Sequence, residues 1–280
     1  MDQLRVPSPL VELREPGLGV RVFLKRDDLI HPELPGNKWR KLKHNLRDAA
    51  GAKRLLTFGG AYSNHLLATA AAGHYFGFET IGVVRGEEHR PLNDVLRAAV
   101  AHGMALTYLD RTAYRARAEA LPALRRRWGE FFLIPEGGAN PAGVRGCAEL
   151  VAEIDVPFDV VACSCGTGTT LAGIAAALAP GQRALGFSAL KGGFLDADVT
   201  RLQTETYGGR RGDWSIDADF AFGGFARRTP DLDAFIDGFE ARHGLRLNWV
   251  YEAKMVYGLL QRIRRGGFAP GTTIVAVVAG

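Results

Sequence analysis

The 280-residue sequence predicts an α/β protein with two open, twisted, mostly parallel sheets flanked by helices. Three observations carry that expectation. Short β-branched runs alternate with Ala- and Leu-rich stretches along most of the chain. Glycine-rich loops follow strand-like runs and open helices at two separate places, at the carboxyl ends of what read as different sheets. No repeat, low-complexity tract or long linker separates independent units.

The elements follow in order from hydrophobic periodicity and punctuation by Gly and Pro. A strand over 54–58 ends in Gly59-Gly60 and leads to a helix over 63–75. A strand over 80–84, a helix over 92–102 and a strand over 105–109 come next. An Arg-rich amphipathic helix over 112–128 and a strand over 131–134 complete a compact set of β-α units. Glu136–Gly138 and Asn140-Pro141 form a turn-rich hinge. Beyond it the pattern predicts a helix over 142–153, a strand over 158–163, a helix over 170–178 and a strand over 184–188. A surface loop over 208–212, helices over 230–243 and 252–265, and a buried strand over 273–278 finish the chain.

Composition narrows the class of function. Hydrophobic residues make up 47% and charged residues 23%, a globular profile with ample material for a core. No apolar run reaches transmembrane length, so no membrane partner is expected. Met1, Asp2, Gln3, Leu4 and Arg5 offer no apolar signal-peptide core, which predicts a cytoplasmic protein. Cys147, Cys163 and Cys165 are too few for a disulfide framework, and no metal-ligand cluster completes the Cys163-x-Cys165 pair. No metal is expected. The net charge of +5 comes from scattered Arg pairs without interleaved aromatics, so no nucleic-acid partner is expected. Lysine is scarce: Lys25, Lys38, Lys41, Lys43, Lys53, Lys191 and Lys254 are the only side-chain amines.

Three loops carry chemistry. Cys165-Gly-Thr-Gly-Thr-Thr170 leaves a hydrophobic strand and opens a helix, where free N–H groups and the positive helix end favour phosphate. It lacks the spacing of Walker A and of G-x-G-x-x-G. The plain alternative is a tight turn with a threonine N-cap. Gly59-Gly-Ala-Tyr-Ser-Asn64 stands in the same setting, and a simple Ser63 or Asn64 cap competes there. Pro35-Gly-Asn-Lys-Trp-Arg-Lys41 starts a helix whose phase puts Lys38, Lys41, Leu42 and Asn45 on one face. Arg40, Lys43 and Arg47 fall on the other, charged face. A lysine on the inward face has a depressed pKa and becomes a nucleophile, whereas a snorkelling surface lysine does not.

These three loops, with Tyr251-Glu-Ala-Lys254, resemble the four signatures of one pyridoxal-phosphate (PLP) family. That family contains 1-aminocyclopropane-1-carboxylate (ACC) deaminase and D-cysteine desulfhydrase. The four stand in the family's order and span nearly the whole chain. The resemblance implies the tryptophan synthase β-like PLP fold, fold type II, and typically a homodimer. It implies a large PLP-binding domain over 1–45 and 140–280, with a small α/β domain over 46–139. It makes Lys38 the Schiff-base lysine and sets Asn64 on the cofactor's phenolic oxygen. Gly166, Thr167, Gly168 and Thr169, helped by Lys41, would cradle the phosphate. Glu252 would lie near the pyridine nitrogen. Ser63 and Tyr251 would serve in catalysis, and Ser63, Asn64, His65, Phe225 and Tyr251 would face the substrate.

The implied activity is a PLP-dependent lyase or deaminase acting on a small amino acid, releasing a keto acid and ammonia. Departures from the family pattern divide the two reactions. Glu252 follows the ACC deaminase pattern, where desulfhydrases more often carry Thr. Phe225 stands in a loop where ACC deaminases carry an active-site Tyr, and it has no hydroxyl. Ala279 lacks the hydroxyl of the family's usual turn, and the sequence ends at Gly280 where the family continues. β-Elimination from D-cysteine is the main expectation and ring-opening of ACC the alternative. A non-catalytic nucleotide- or phosphate-binding α/β module is the reading from another class.

Overall fold

The computed structural model describes residues 4–34 and 36–280. Pro35, which begins the third motif, and residues 1–3 of the N-terminal reading lie outside the described residues. The chain opens with β1 (Leu10–Glu12), β2 (Arg21–Arg26) and α1 (Gly36–Asp48). Then come β3 (Arg54–Gly60), α2 (Asn64–Phe76), β4 (Glu79–Arg85), α3 (Asp94–Ala101) and β5 (Ala105–Leu109). They are followed by α4 (Arg111–Arg115), α5 (Leu121–Trp128), β6 (Phe132–Ile134) and α6 (Pro141–Ala152). The rest is β7 (Val160–Cys165), α7 (Thr169–Ala177), β8 (Arg183–Ser188), α8 (Leu195–Tyr207) and β9 (Asp213–Asp217). It closes with α9 (Pro230–His243), α10 (Glu252–Arg264) and β10 (Thr273–Val278).

Ten strands make two sheets among the described residues. A six-stranded sheet runs β1-β2-β10-β7-β8-β9, and only β1 is antiparallel to its neighbour. A four-stranded sheet, β5-β4-β3-β6, is parallel throughout. The chain thus leaves the larger sheet after β2, builds the smaller one, and returns at β7. Strand β10 shows why the large sheet needs helices on both faces. Ile274, Ala276 and Val278 pack on one side against α9 and α10. Val275 and Val277 join Val161, Cys163 and Cys165 on the other, under α7 and α8. A continuous apolar run with both faces buried is the mark of a parallel sheet. In the small sheet Leu56, Phe58, Ile81 and Val83 face Tyr114 and Leu124, while Leu66 and Val84 pack on the opposite side.

The structure corrects three expectations. The helix expected over 112–128 is two short helices, α4 and α5, with turns between them. Pro122 enters the first turn of α5, where its missing N–H costs nothing, and cannot continue a helix from α4. Strands β1, β2 and β9 and helix α8 were not legible as elements. Strand β2 carries a fully buried Lys25 as its penultimate residue, which breaks the apolar pattern. Third, Arg40 does not lie on a charged outer face. It is buried, and its guanidinium bonds Asp27 Oδ2 at 2.6 Å and Glu153 Oε1 at 2.8 Å.

Candidate functional site

Helix α1 brings Lys38 and Lys41 inward because buried ionic partners hold its other face. Arg40 forks between Asp27 and Glu153, and Lys25 completes the cluster with bonds to Glu153 at 2.9 Å and to Ser8 Oγ at 2.6 Å. Burial alone would raise Glu153, but the bonds and charge of Arg40, then Lys25, hold its pKa at about 2. On the inward face Lys38 is partly buried, and its ammonium donates to Asn37 Oδ1 at 2.9 Å. Burial, reinforced by the charge of Lys41, lowers the Lys38 pKa to about 7. An amine with that value is substantially neutral, and so nucleophilic, near physiological pH.

Lys41 is 5% exposed and has no hydrogen bond or ion pair from its ammonium among the described residues. Burial lowers its pKa as well. A buried cation without an acid calls for an anion beside it. The loop 165–170 supplies the setting. Helix α7 begins at Thr169 with Gly168 as its N-cap, and no side chain caps it. The threonine cap weighed from the sequence is therefore absent, and first-turn N–H groups stay free for a ligand. Gly168 has φ +76°, a left-handed conformation suited to glycine, and a Cβ there would meet Val199 Cγ2 at 2.6 Å. Thr167 and Thr169 pair their hydroxyls at 2.9 Å. The orphaned ammonium, the uncapped helix and the two hydroxyls fit the phosphate of PLP.

The turn Glu136–Gly138 joins these parts, and its role was not legible in the sequence. A Cβ on Gly137 would meet Thr167 Cγ2 at 2.9 Å, and one on Gly138 would meet Lys41 Cβ at 3.0 Å and His65 Cε1 at 3.5 Å. Both glycines have positive φ, at +68° and +67°. A Pro-Glu-Gly-Gly turn after a parallel strand was the available signal.

The loop after β3 contributes Ser63, Asn64 and His65. Ser63 caps α2, its oxygen accepting from Leu66 N at 3.4 Å, so the plain capping role is realised. The Asn64 amide makes no hydrogen bond among the described residues, which leaves it available to a ligand. His65 turns inward instead, with Nε2 3.0 Å from Thr57 Oγ1. Burial and the charges of Lys38 and Lys41 hold its pKa well below the ordinary value, so it is a neutral imidazole.

Tyr251 lies over Gly166, where a Cβ would stand 3.1 Å from the tyrosine Cε1. Burial, with the nearby Glu136 carboxylate, raises its pKa to about 12, so it carries its proton. Phe225 stands edge-on to Tyr251 with ring centres 6.0 Å apart, and is half exposed. Glu252 accepts from the backbone N–H groups of Asn248 and Ala279, each at 3.0 Å, and burial raises its pKa. It therefore ties the start of α10 to the end of β10. The three cysteines are buried and free. No helix among the described residues is long and apolar enough to cross a membrane.

Comparison with known proteins agrees with this geometry. The family of pyridoxal-phosphate dependent enzymes matches residues 1–210. A Pyrococcus horikoshii protein provisionally named a 1-aminocyclopropane-1-carboxylate deaminase is 30% identical, covering 89% of this chain and 81% of that one. The bifunctional D-cysteine desulfhydrase/1-aminocyclopropane-1-carboxylate deaminase of Arabidopsis thaliana is 29% identical over 93% of this chain and 72% of its own. The crystal structure of an ACC deaminase homologue superposes with a TM-score of 0.86 at 28% identity, covering 99% of this chain and 90% of that one. The chain belongs to the pyridoxal-phosphate dependent enzyme family, with the fold type II architecture.

Proposed function

We propose that this member of the PLP-dependent family is a lyase that eliminates the β-substituent of D-cysteine or a close analogue, releasing a keto acid and ammonia. The observation that carries the reading is the placement of Lys38 and the unpaired Lys41 on one face of α1 near His65 and Gly138, with burial lowering the pKa of both. PLP, when bound, supplies an electron sink for charge developing at the substrate's α-carbon.

In this reading Lys38 holds the cofactor's aldehyde carbon, and Lys41, Thr167, Thr169 and the backbone of Gly166 and Gly168 hold its phosphate. Asn64 offers its amide to the cofactor's phenolic oxygen or to the substrate carboxylate. Glu252, its carboxylate fixed by two backbone N–H groups, would lie near the pyridine nitrogen. A lysine amine near neutrality takes and returns a proton at Nζ under working conditions. Tyr251 keeps its phenolic proton at neutral pH and so acts as a donor, not as a base. Ser63 is positioned by its cap at the rim of the same loop. Phe225 and Tyr251 wall the substrate side, and His65 supports that loop from behind.

ACC ring-opening is the second reading. The buried carboxylate of Glu252 favours it, and the absent hydroxyl at Phe225 disfavours it. Assaying sulfide from D- and L-cysteine beside ketobutyrate from ACC separates the two. Sulfide from D-cysteine is expected; ketobutyrate alone would replace the main reading with the second. The course of the chain from sheet to sheet supports a large domain over 1–45 and 140–280 and a small one over 46–139. The family resemblance supports a homodimer, which light scattering on the purified chain would test; a cytoplasmic location is a separate proposal, which cell fractionation would test.

A further inference from the structure

The parallel pairing of the small sheet gathers four strand ends at one edge. Strand β3 ends at Gly60 and leads into the Ser63 loop, β4 ends at Arg85, β5 precedes Arg111, and β6 leads to Glu136. Ligands of open α/β sheets bind at this carboxyl edge. Here Arg85, Arg111, Tyr114, Arg115, Arg117 and Glu136 line a cavity of about 370 Å³.

The charges in it do not balance. Arg117 approaches Glu136 at 3.7 Å, while Arg85, Arg111 and Arg115 have no carboxylate partner among the described residues. The nearest acid in sequence, Asp110, is committed to capping α4 through Thr112 N and Ala113 N. Arg85 and Arg117 are held near one ring, with guanidinium carbons 5.7 and 5.4 Å from the centre of Tyr114. Stacking of this kind fixes the two like charges together in a concavity. Glu136 offsets only the Arg117 charge, so an entering anion would relieve the remaining repulsion among the arginines.

The cavity also adjoins the candidate active site on two sides. Arg85 Nη2 would stand 3.5 Å from a Cβ on Gly60, at the root of the Ser63 loop. Glu136 begins the turn whose Gly137 rests on Thr167, and its charge is felt at Tyr251. We propose that this cavity is a second anion site, taking a phosphate or carboxylate group carried on the side chain of the amino-acid substrate. The proposal rests on the reading of the chain as an amino-acid enzyme, and adds that β-substituted analogues bearing a negative group beyond the β-carbon bind more tightly than D-cysteine itself.

The test is calorimetric and uses the PLP-loaded enzyme. The probes are 2-amino-3-phosphonopropanoate, whose carbon–phosphorus bond gives no leaving group, alanine, and inorganic phosphate. The phosphonate is expected to bind about tenfold or more tightly than alanine, as charge-assisted bonds to guanidinium groups require. An Arg85→Gln/Arg111→Gln double variant is expected to lose that advantage, while Arg201→Gln, which removes one charge from α8, keeps it. Inorganic phosphate is expected to compete with the phosphonate and not with alanine. Equal binding of phosphonate and alanine, or an advantage surviving the double variant, would overturn the proposal. Phosphate binding without competition would show a free-anion site and overturn the substrate-borne form. Failure of both amino acids to bind would instead sink the proposed function; phosphate bound by wild type and lost in the double variant would then uphold the anion site alone.

Discussion

Lys254 donates its ammonium to the carbonyl of Gly224 at 2.8 Å, and to that of Ala221 at 2.9 Å. One buried lysine therefore fastens the loop bearing Phe225 to the first turns of the helix that begins beside Tyr251. The loop needs such a fastening, because Phe222 and Ala226 hold positive φ values of 49° and 50° without being glycine. Replacing Lys254 with Met keeps the volume and removes a charged donor from two carbonyls, which keep only the backbone N–H groups of Gly224 (to Ala221 O) and Arg227 (to Gly224 O), a loss of about 1–3 kcal/mol. Chemical denaturation of Lys254→Met is expected to show that loss. Its KM for D-cysteine is expected to rise more than its kcat falls, because the affected wall binds substrate. Unchanged stability would argue against the fastening.

Lys38→Ala removes the amine assigned to covalent cofactor capture. Loss of activity by at least about a thousandfold is expected, since the amine that forms the covalent link is gone. The variant is expected to purify without the yellow imine absorbance and to give no borohydride-stable adduct. A retained imine would transfer the role to another lysine, with Lys41 the nearest.

The pKa of about 7 at Lys38 fixes a pH window for cofactor uptake by the apoprotein. The protonated amine does not attack an aldehyde, so uptake rises with pH. Between pH 6 and 8 the neutral fraction climbs from roughly a tenth to nine tenths, and the imine-forming rate rises roughly tenfold. A lysine at the ordinary value keeps accelerating past pH 9. Stopped-flow absorbance distinguishes a plateau above pH 8 from a continued climb. The same shift has a stability consequence of definite sign. The unfolded chain holds this proton up to about pH 10 and the folded chain releases it near 7. The apoprotein is therefore destabilised by this group below pH 7, and gains stability as pH rises from 7 towards 10.

Removing one member of the buried ionic cluster strands the others. Glu153→Gln leaves Arg40 and Lys25 short of charge in a dry setting, and a loss of roughly 3–5 kcal/mol is expected by denaturant titration. Glu153 is held at about 2, so its contribution is present above the ordinary carboxylate range and is lost as pH falls from about 4.5 towards 2. Acid titration of wild type and variant should converge over that window. Parallel acid profiles would mean that Glu153 is not the group that titrates.

The inward direction of Lys38 and Lys41 was readable from helical phase, because Leu42 and Asn45 mark the buried face within a single element. The burial of Arg40 was not. Its partners lie 13 and 113 residues away, at Asp27 and Glu153, and no local pattern records an acid delivered by a distant strand or helix. The loop 165–170 was legible from its glycines as a turn between strand and helix, the setting in which a phosphate was expected. That Gly168 and not a threonine caps α7 required the backbone. The split of the helix expected over 112–128 had its signal in Pro122, which was outweighed by the amphipathic spacing around it. The arginine cavity is invisible in sequence for the same reason as Arg40: Arg85 and Glu136 meet only through the strand order β5-β4-β3-β6.

The turn Glu136–Gly138 is also the thread on which the chain passes back from the small sheet to the large one. Connectivity and site are thus one object at that point. Rejoining the termini and reopening the chain at a remote surface loop such as 208–212 leaves the glycine pair intact. Reopening it between Gly137 and Gly138 places two charged chain ends between Lys41, His65 and Thr167. The first permutant is expected to bind PLP and the second to fold without it, which marks this turn as the place where the protein cannot be cut.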